Sequence, residues 1–269
     1  MTIDFHAHAF PDGLAAHAIE TLNARVPPGA EAVLDGSVGG LLRSMDAAGI
    51  ERSVICSIAT SPKQVEPILR WSLDIRGDRI IPFASVHPDC ADPPGAVRRI
   101  AASGLPGVKL HPLYQGFVAD SGRMWPLYEA VAECGLILLM HAGRDIAFPP
   151  DDDCAAPRRL LAVHRAFPGL TMIAAHMGGW RAWDEAAETL AGTGVYLETS
   201  YSFGMGEDEA LGRVVERHAA ERILFGTDSP WQAQASSLVR VRAAFAGTGA
   251  LERVLHANAE RVLQMGGGG

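Results

Sequence analysis

Short runs rich in aliphatic and β-branched residues alternate along the chain with stretches whose apolar positions fall at helical spacing. The runs cover 2–6, 52–57, 80–86, 107–111, 136–141, 170–176, 195–199 and 222–226. Each is short for a helix and reads as a strand. Between them, 41–48 places Leu41, Leu42 and Met45 on one helical face and stops at Gly49, and 65–75 follows a Ser61-Pro62 start signal. Segments 96–102, 125–134, 157–167, 183–190, 209–219 and 238–245 continue the series, and 251–265 predicts one or two closing helices. Strands alternating with helices imply a parallel sheet. Eight such units in 269 residues favour a closed (β/α)8 barrel over an open doubly wound sheet, since a barrel takes ~250 residues as one unit. No repeat, linker or low-complexity stretch divides the chain, so 1–269 reads as a single domain, with Gly266 to Gly269 as a disordered tail.

The strand ends carry the chemistry. Asp4-Phe5-His6-Ala7-His8, Met140-His141-Ala142-Gly143, Ala175-His176-Met177-Gly178-Gly179 and Gly226-Thr227-Asp228-Ser229-Pro230 each close or follow a predicted strand. A strand turns every second side chain the same way, so His6 and His8 share a face, as two ligands of one ion must. In a closed barrel the C-terminal strand ends meet, and His141 and Asp228 close the same coordination sphere. Nitrogen and oxygen ligands without thiolate suit Zn or another first-row divalent ion. An unpaired Asp228 carboxylate at a barrel mouth needs a partner, and a cation supplies one. His176 is read as a neighbour of that sphere, with completion of it as the alternative. Lys109 and His111 share a face of the fourth strand. A lysine inside a barrel must be paired or modified. Lys109 either binds a substrate carboxylate, pairs with Asp228 or Glu198, or carries a carbamate bridging a second metal. His87, Glu198 and Ser200 also end strands and can line the same mouth. His17, His164, His218 and His256 fall in helical stretches and read as surface or packing residues.

Composition narrows the partners. A hydrophobic content of 48% with 20% charged residues is that of a soluble globular protein. A net charge of -8 argues against nucleic-acid binding. No apolar run reaches membrane length, and the first residues lack the basic and apolar regions of a signal peptide. The four cysteines form no CxxC pair, which fits core residues of a reduced, cytoplasmic protein. Homo-oligomerisation is left open. Arg144 and Arg181 follow His141 and His176 into loops at the predicted mouth, and arginine makes two-point contacts with carboxylates. They predict a small anionic substrate; the competing reading pairs them with Asp145 and Asp184.

Taken together with Gly107-Val108-Lys109-Leu110-His111-Pro112 and His256-Ala257-Asn258-Ala259-Glu260-Arg261-Val262-Leu263, these motifs resemble the amidohydrolase superfamily almost end to end. The resemblance is to the branch, amidohydrolase family 2, that holds aminocarboxymuconate semialdehyde decarboxylase, resorcylate decarboxylase and related metal-dependent hydrolases. It implies one Zn ion on His6, His8, His141 and Asp228, with His176 as the catalytic histidine. The Lys-Leu-His-Pro stretch departs from the decarboxylases and looks more like the hydrolase members. The first expectation is therefore hydrolysis of a C–N, ester or lactone bond by metal-activated water, with Asp228 relaying the proton. The alternative is metal-dependent non-oxidative decarboxylation. A barrel that binds a metal or metabolite without turnover ranks last, because Asp228 and His176 are both present.

Overall fold

A computed structural model describes residues 1–265; the predicted tail at 266–269 lies outside the described residues. All eight predicted strands form: β1 Ile3–Ala7, β2 Arg52–Cys56, β3 Ile80–Phe83, β4 Gly107–Leu110, β5 Ile137–Met140, β6 Met172–Ala174, β7 Tyr196–Glu198 and β8 Ile223–Leu224. The helices are α1 Asp12–Asn23, α2 Val38–Ala48, α3 Val65–Ile75, α4 Pro93–Ala102, α5 Pro112–Gln115, α6 Trp125–Glu133, α7 Pro157–Ala166, α8 Trp183–Thr189, α9 Asp208–Arg217, α10 Gln234–Ala244 and α11 Asn258–Met265. A π-helical turn, Arg253–Ala257, precedes α11.

Every strand pairing is parallel, in the orders β1-β2-β3 and β4-β5-β6-β7-β8. Two seams join these sheets into a ring. At the first, Lys109 N donates to Ala84 O at 2.8 Å. At the second, Phe5 N donates to Phe225 O at 2.7 Å and Ala7 bridges Ser229. The result is the (β/α)8 barrel read from the sequence. Its strands are buried on both faces, which is why they read as apolar runs rather than alternating ones. Phe5, Phe83, Ile137, Leu139, Ile173 and Leu224 pack together as one interior cluster, closed by Ala259 and Val262 of α11.

Two features escaped the sequence reading. The β1–β2 register shifts between Asp4 and Ala7, so β1 carries an extra residue there. Phe5 can therefore join the interior cluster while His6, its neighbour, also reaches the interior. Strict alternation would have turned one of them outward. The second feature is the place of α1, inserted between β1 and α2 at the mouth; the sequence reading puts only His17 in a helical stretch there. Its N-cap, Pro11, offers no capping side chain, and Ala15 is its one buried residue. Helix signals there are weak for those reasons.

Candidate metal centre and its cavity

Five non-glycine residues hold left-handed backbone angles: His176 (φ 55°), Met177 (51°), Arg181 (51°), Tyr201 (47°) and Asp228 (64°). Each follows strand β6, β7 or β8, so the strain is gathered at the mouth, at ~1–3 kcal/mol per residue. Hydrogen bonds hold it there. His176 N donates to Glu198 Oε1 at 2.9 Å, and Asp228 N donates to His6 O at 2.8 Å. The Ala-Gly after His141 has a steric reason. Gly143 bridges Trp180 at φ 89°, and a Cβ there would collide with the Trp180 backbone.

Glu198 organises the centre from below. It is fully buried, accepts from His6 Nδ1 at 2.8 Å, and accepts from Ser200 Oγ at 2.7 Å. His6 Nδ1–H is thereby committed, and the Nε2 lone pair faces the mouth. Around that nitrogen lie His8 Nε2 at 3.1 Å, Lys109 Nζ at 3.1 Å and Asp228 Oδ1 at 3.5 Å. His8 Nε2 also lies 3.1 Å from Asp228 Oδ1. His176 Nδ1 donates to Ser200 O at 3.0 Å, and His141 Nε2 donates to Arg144 O at 2.9 Å. A carbonyl oxygen only accepts, so both remaining nitrogens are lone-pair donors to a cation. They face each other across 3.1 Å.

This donor set fits a divalent ion. His6, His8 and Asp228 present ligand atoms within 4.8 Å of one another. Metal ligation needs neutral imidazole and ionised carboxylate. Burial holds His6 and His141 well below the ordinary histidine range, with Lys109 beside His6 and His111 beside His141 adding to it. Burial alone would raise the Asp228 carboxyl. The hydrogen bond from His8 and the adjoining imidazoles outweigh it and hold Asp228 well below the usual carboxylate range. Burial likewise lowers Lys109 from its ordinary value.

The other expected residues divide. His111 stacks on His141 with ring centres 4.0 Å apart and pairs with Asp145 at 3.4 Å, forming a second group of three ligand atoms with it and His141. Arg144 lines the cavity, its guanidinium donating to Pro150 O. Arg181 is exposed, lies over the Trp180 ring at 4.5 Å, and is not part of the cavity wall. Among the described residues neither arginine has an acidic partner: Asp145 faces His111 and Asp184 pairs with Arg213. His87 is buried and accepts from Asp89 N at 3.1 Å, away from the cluster. The sequence reading gave Asp145 no site role and missed the cavity residues Tyr114 and Trp231, which carry no motif.

The cavity above the cluster measures about 570 Å³ and is walled mostly by apolar side chains. Residues 3–265 match the family model described as Amidohydrolase. The chain belongs to the amidohydrolase family. No functionally curated sequence matches it. Among solved structures it is similar to an uncharacterised TIM-barrel protein of Bordetella bronchiseptica, at 22% identity and TM-score 0.77 over 99% of both chains. It is also similar to 5-carboxyvanillate decarboxylase of Sphingomonas paucimobilis, at 18% identity and TM-score 0.69 over 98% of both. A third similarity is to the 5-carboxyvanillate decarboxylase of Novosphingobium aromaticivorans complexed with manganese, at 16% identity and TM-score 0.72 over 98% of this chain and 96% of that one. These likenesses establish the barrel. No helix among the described residues is long and apolar enough to cross a membrane.

Proposed function

We propose that this amidohydrolase-family chain is a metal-dependent decarboxylase of a small carboxylated molecule. The observation that carries the reading is the convergence of committed lone pairs, on His6 Nε2, His141 Nδ1 and His176 Nε2, with Asp228 at the floor of a largely apolar cavity. Two of the structural relatives are decarboxylases of a carboxylated aromatic, which favours this over the hydrolysis expected first. In this reading His6, His8, His141 and Asp228 hold one ion, Zn or another first-row metal, and His176 works beside it. When bound, a divalent ion supplies Lewis acidity, polarising substrate oxygens and lowering the pKa of water towards ~7.

The chain's own residues do the rest. Apolar walls strip water from the substrate carboxylate, whose charge disperses as its carbon–carbon bond breaks. Carbon dioxide leaves, and the electron pair stays on the substrate carbon, which then takes a proton. His176 is suited to deliver it. Its Nδ1–H is tied to Ser200 O, so the proton it delivers is first taken up from water at Nε2. Lys109 takes no part in this scheme; its Nζ lies 3.1 Å from His6 Nε2.

Hydrolysis remains the second reading because Asp228 Oδ1 lies within reach of both His6 and His8, where a carboxylate can take a proton from water. A panel of carboxylated aromatics, lactones and amides, with product carbon dioxide scored separately, decides between them. Release of carbon dioxide in step with substrate loss supports decarboxylation. Turnover confined to lactones or amides overturns it.

A further inference from the structure

The apolar residues of α1 are not spent on the barrel core. Leu14, Ala18 and Leu22 recur at a spacing of four, so they form one stripe, and all three line the cavity. Only Ala15 of α1 is buried, and Leu14 stays 58% exposed. At 1.5 Å per residue, Leu14 to Leu22 spans about 12 Å. Ile68 and Trp71 of α3, both half-buried, also line the cavity. The cavity is thus a channel. It runs from the His6–Asp228 cluster out along two turns of α1, with polar ligand groups at its inner end and mostly apolar walls along its length, His17 and Thr21 being the polar residues that α1 adds. Its 570 Å³ falls in the ~300–1,000 Å³ range that houses drug-sized ligands. An apolar stripe facing water is costly unless something covers it.

We propose that the occupant is the substrate itself: a carboxylated head at the metal centre joined to an apolar arm about 12 Å long, laid along α1 and α3. The occupant is argued from continuity, since the stripe opens onto the catalytic cluster rather than onto an outer face. This rests on the reading of the cluster as a carboxylate-processing centre.

The test uses metal-loaded protein titrated with benzoate, 4-butylbenzoate and 4-octylbenzoate. Binding is followed by quenching of intrinsic tryptophan fluorescence, because Trp71, Trp180 and Trp231 line the cavity, and by calorimetry for stoichiometry. Affinity should rise by up to about fourfold per methylene until the channel is filled, with one site per chain. Two variants locate the arm. Ala18→Trp, which fills the middle of the channel, should move the plateau to shorter chains. Leu14→Asp, at an exposed position that tolerates charge, should cut the octyl-over-butyl ratio. Affinity independent of chain length in the wild type overturns the proposal, as do increments unchanged in both variants or no binding by any of the three acids. The two readings fail separately. Conversion of carboxylated substrates with no dependence on arm length removes the arm alone. Arm-dependent binding without turnover of any carboxylate removes the decarboxylase reading and leaves the arm.

Discussion

His141 Nδ1 and His176 Nε2 face each other across 3.1 Å. Neither can relieve the contact by switching tautomer, because Arg144 O and Ser200 O hold the opposite ring protons. Two facing lone pairs in a buried site repel, and a cation near them turns that cost into attraction. Ion removal should therefore destabilise the barrel. Stripped protein reloaded with Zn or Mn at about 100 times Kd should gain ~2.7 kcal/mol, or roughly 5–10 °C in Tm. His6→Ala should lose the ion by elemental analysis and lose this gain. Equal melting temperatures with and without added metal in the wild type would count against the site.

Replacing His176 with Asn separates ligand from acid–base roles. If His141 completes the sphere, the variant keeps the ion and kcat falls by about 10²–10⁴. If the ion goes with the imidazole, His176 is the ligand and the two roles must be exchanged.

Glu198 acts through other groups. It fixes His6 Nδ1, Ser200 and the His176 backbone, all without exposure to water. Orienting carboxylates of this kind are worth about 10–100-fold in metal affinity. Glu198→Gln should weaken metal binding by that factor, read by chelator competition, while circular dichroism shows the barrel intact. Unchanged affinity would reduce Glu198 to a packing residue.

What the sequence made legible follows from local rules. His6, His8, His141, His176 and Asp228 were legible as candidates because each ends a strand or lies just past one, and a barrel gathers strand ends. The strand count was legible because buried parallel strands are mostly apolar. The bulge in β1 was not, since it is set by pairing with β2 and leaves no mark in the order Asp-Phe-His. Glu198 looked like one of several strand-end polar residues; only the fold brings it within 2.8 Å of His6, 192 positions away. The channel was hidden for the same reason. The α1 stripe reads as an ordinary weak amphipathic segment until the structure shows that it faces a cavity.

The two loop arginines, alike in sequence, should behave differently. Arg144 belongs to the cavity wall, whereas Arg181 lies outward over Trp180. Arg144→Met should raise KM for anionic substrates with little change for neutral ones, the signature of lost ground-state binding. Arg181→Met should leave both near the wild-type values. A KM effect in Arg181→Met alone would reverse the assignment.

His218 offers a pH test remote from the centre. It is buried just past α9, and Gly192 N donates to its Nδ1 at 3.2 Å. Burial lowers its pKa to about 4, from 6.5 in an unfolded chain. The sign follows from which state binds the proton. Below pH 6.5 the unfolded chain takes it up and the folded chain does not, so stability falls as pH drops from 6.5 towards 4 and levels off below that. The loss reaches ~3 kcal/mol across this window, at up to ~1.4 kcal/mol per pH unit. Protonation would also convert Nδ1 from acceptor to donor and break the bond from Gly192. His218→Asn offers Oδ1 as a replacement acceptor and does not titrate. The buried imidazoles of the metal centre add slopes of their own, so the informative quantity is the difference between wild type and variant. Urea unfolding of metal-free protein between pH 7 and 4 should give a shallower decline in His218→Asn by up to one proton's worth. Parallel declines would mean that His218 titrates alike in both states and that its burial does not control its charge.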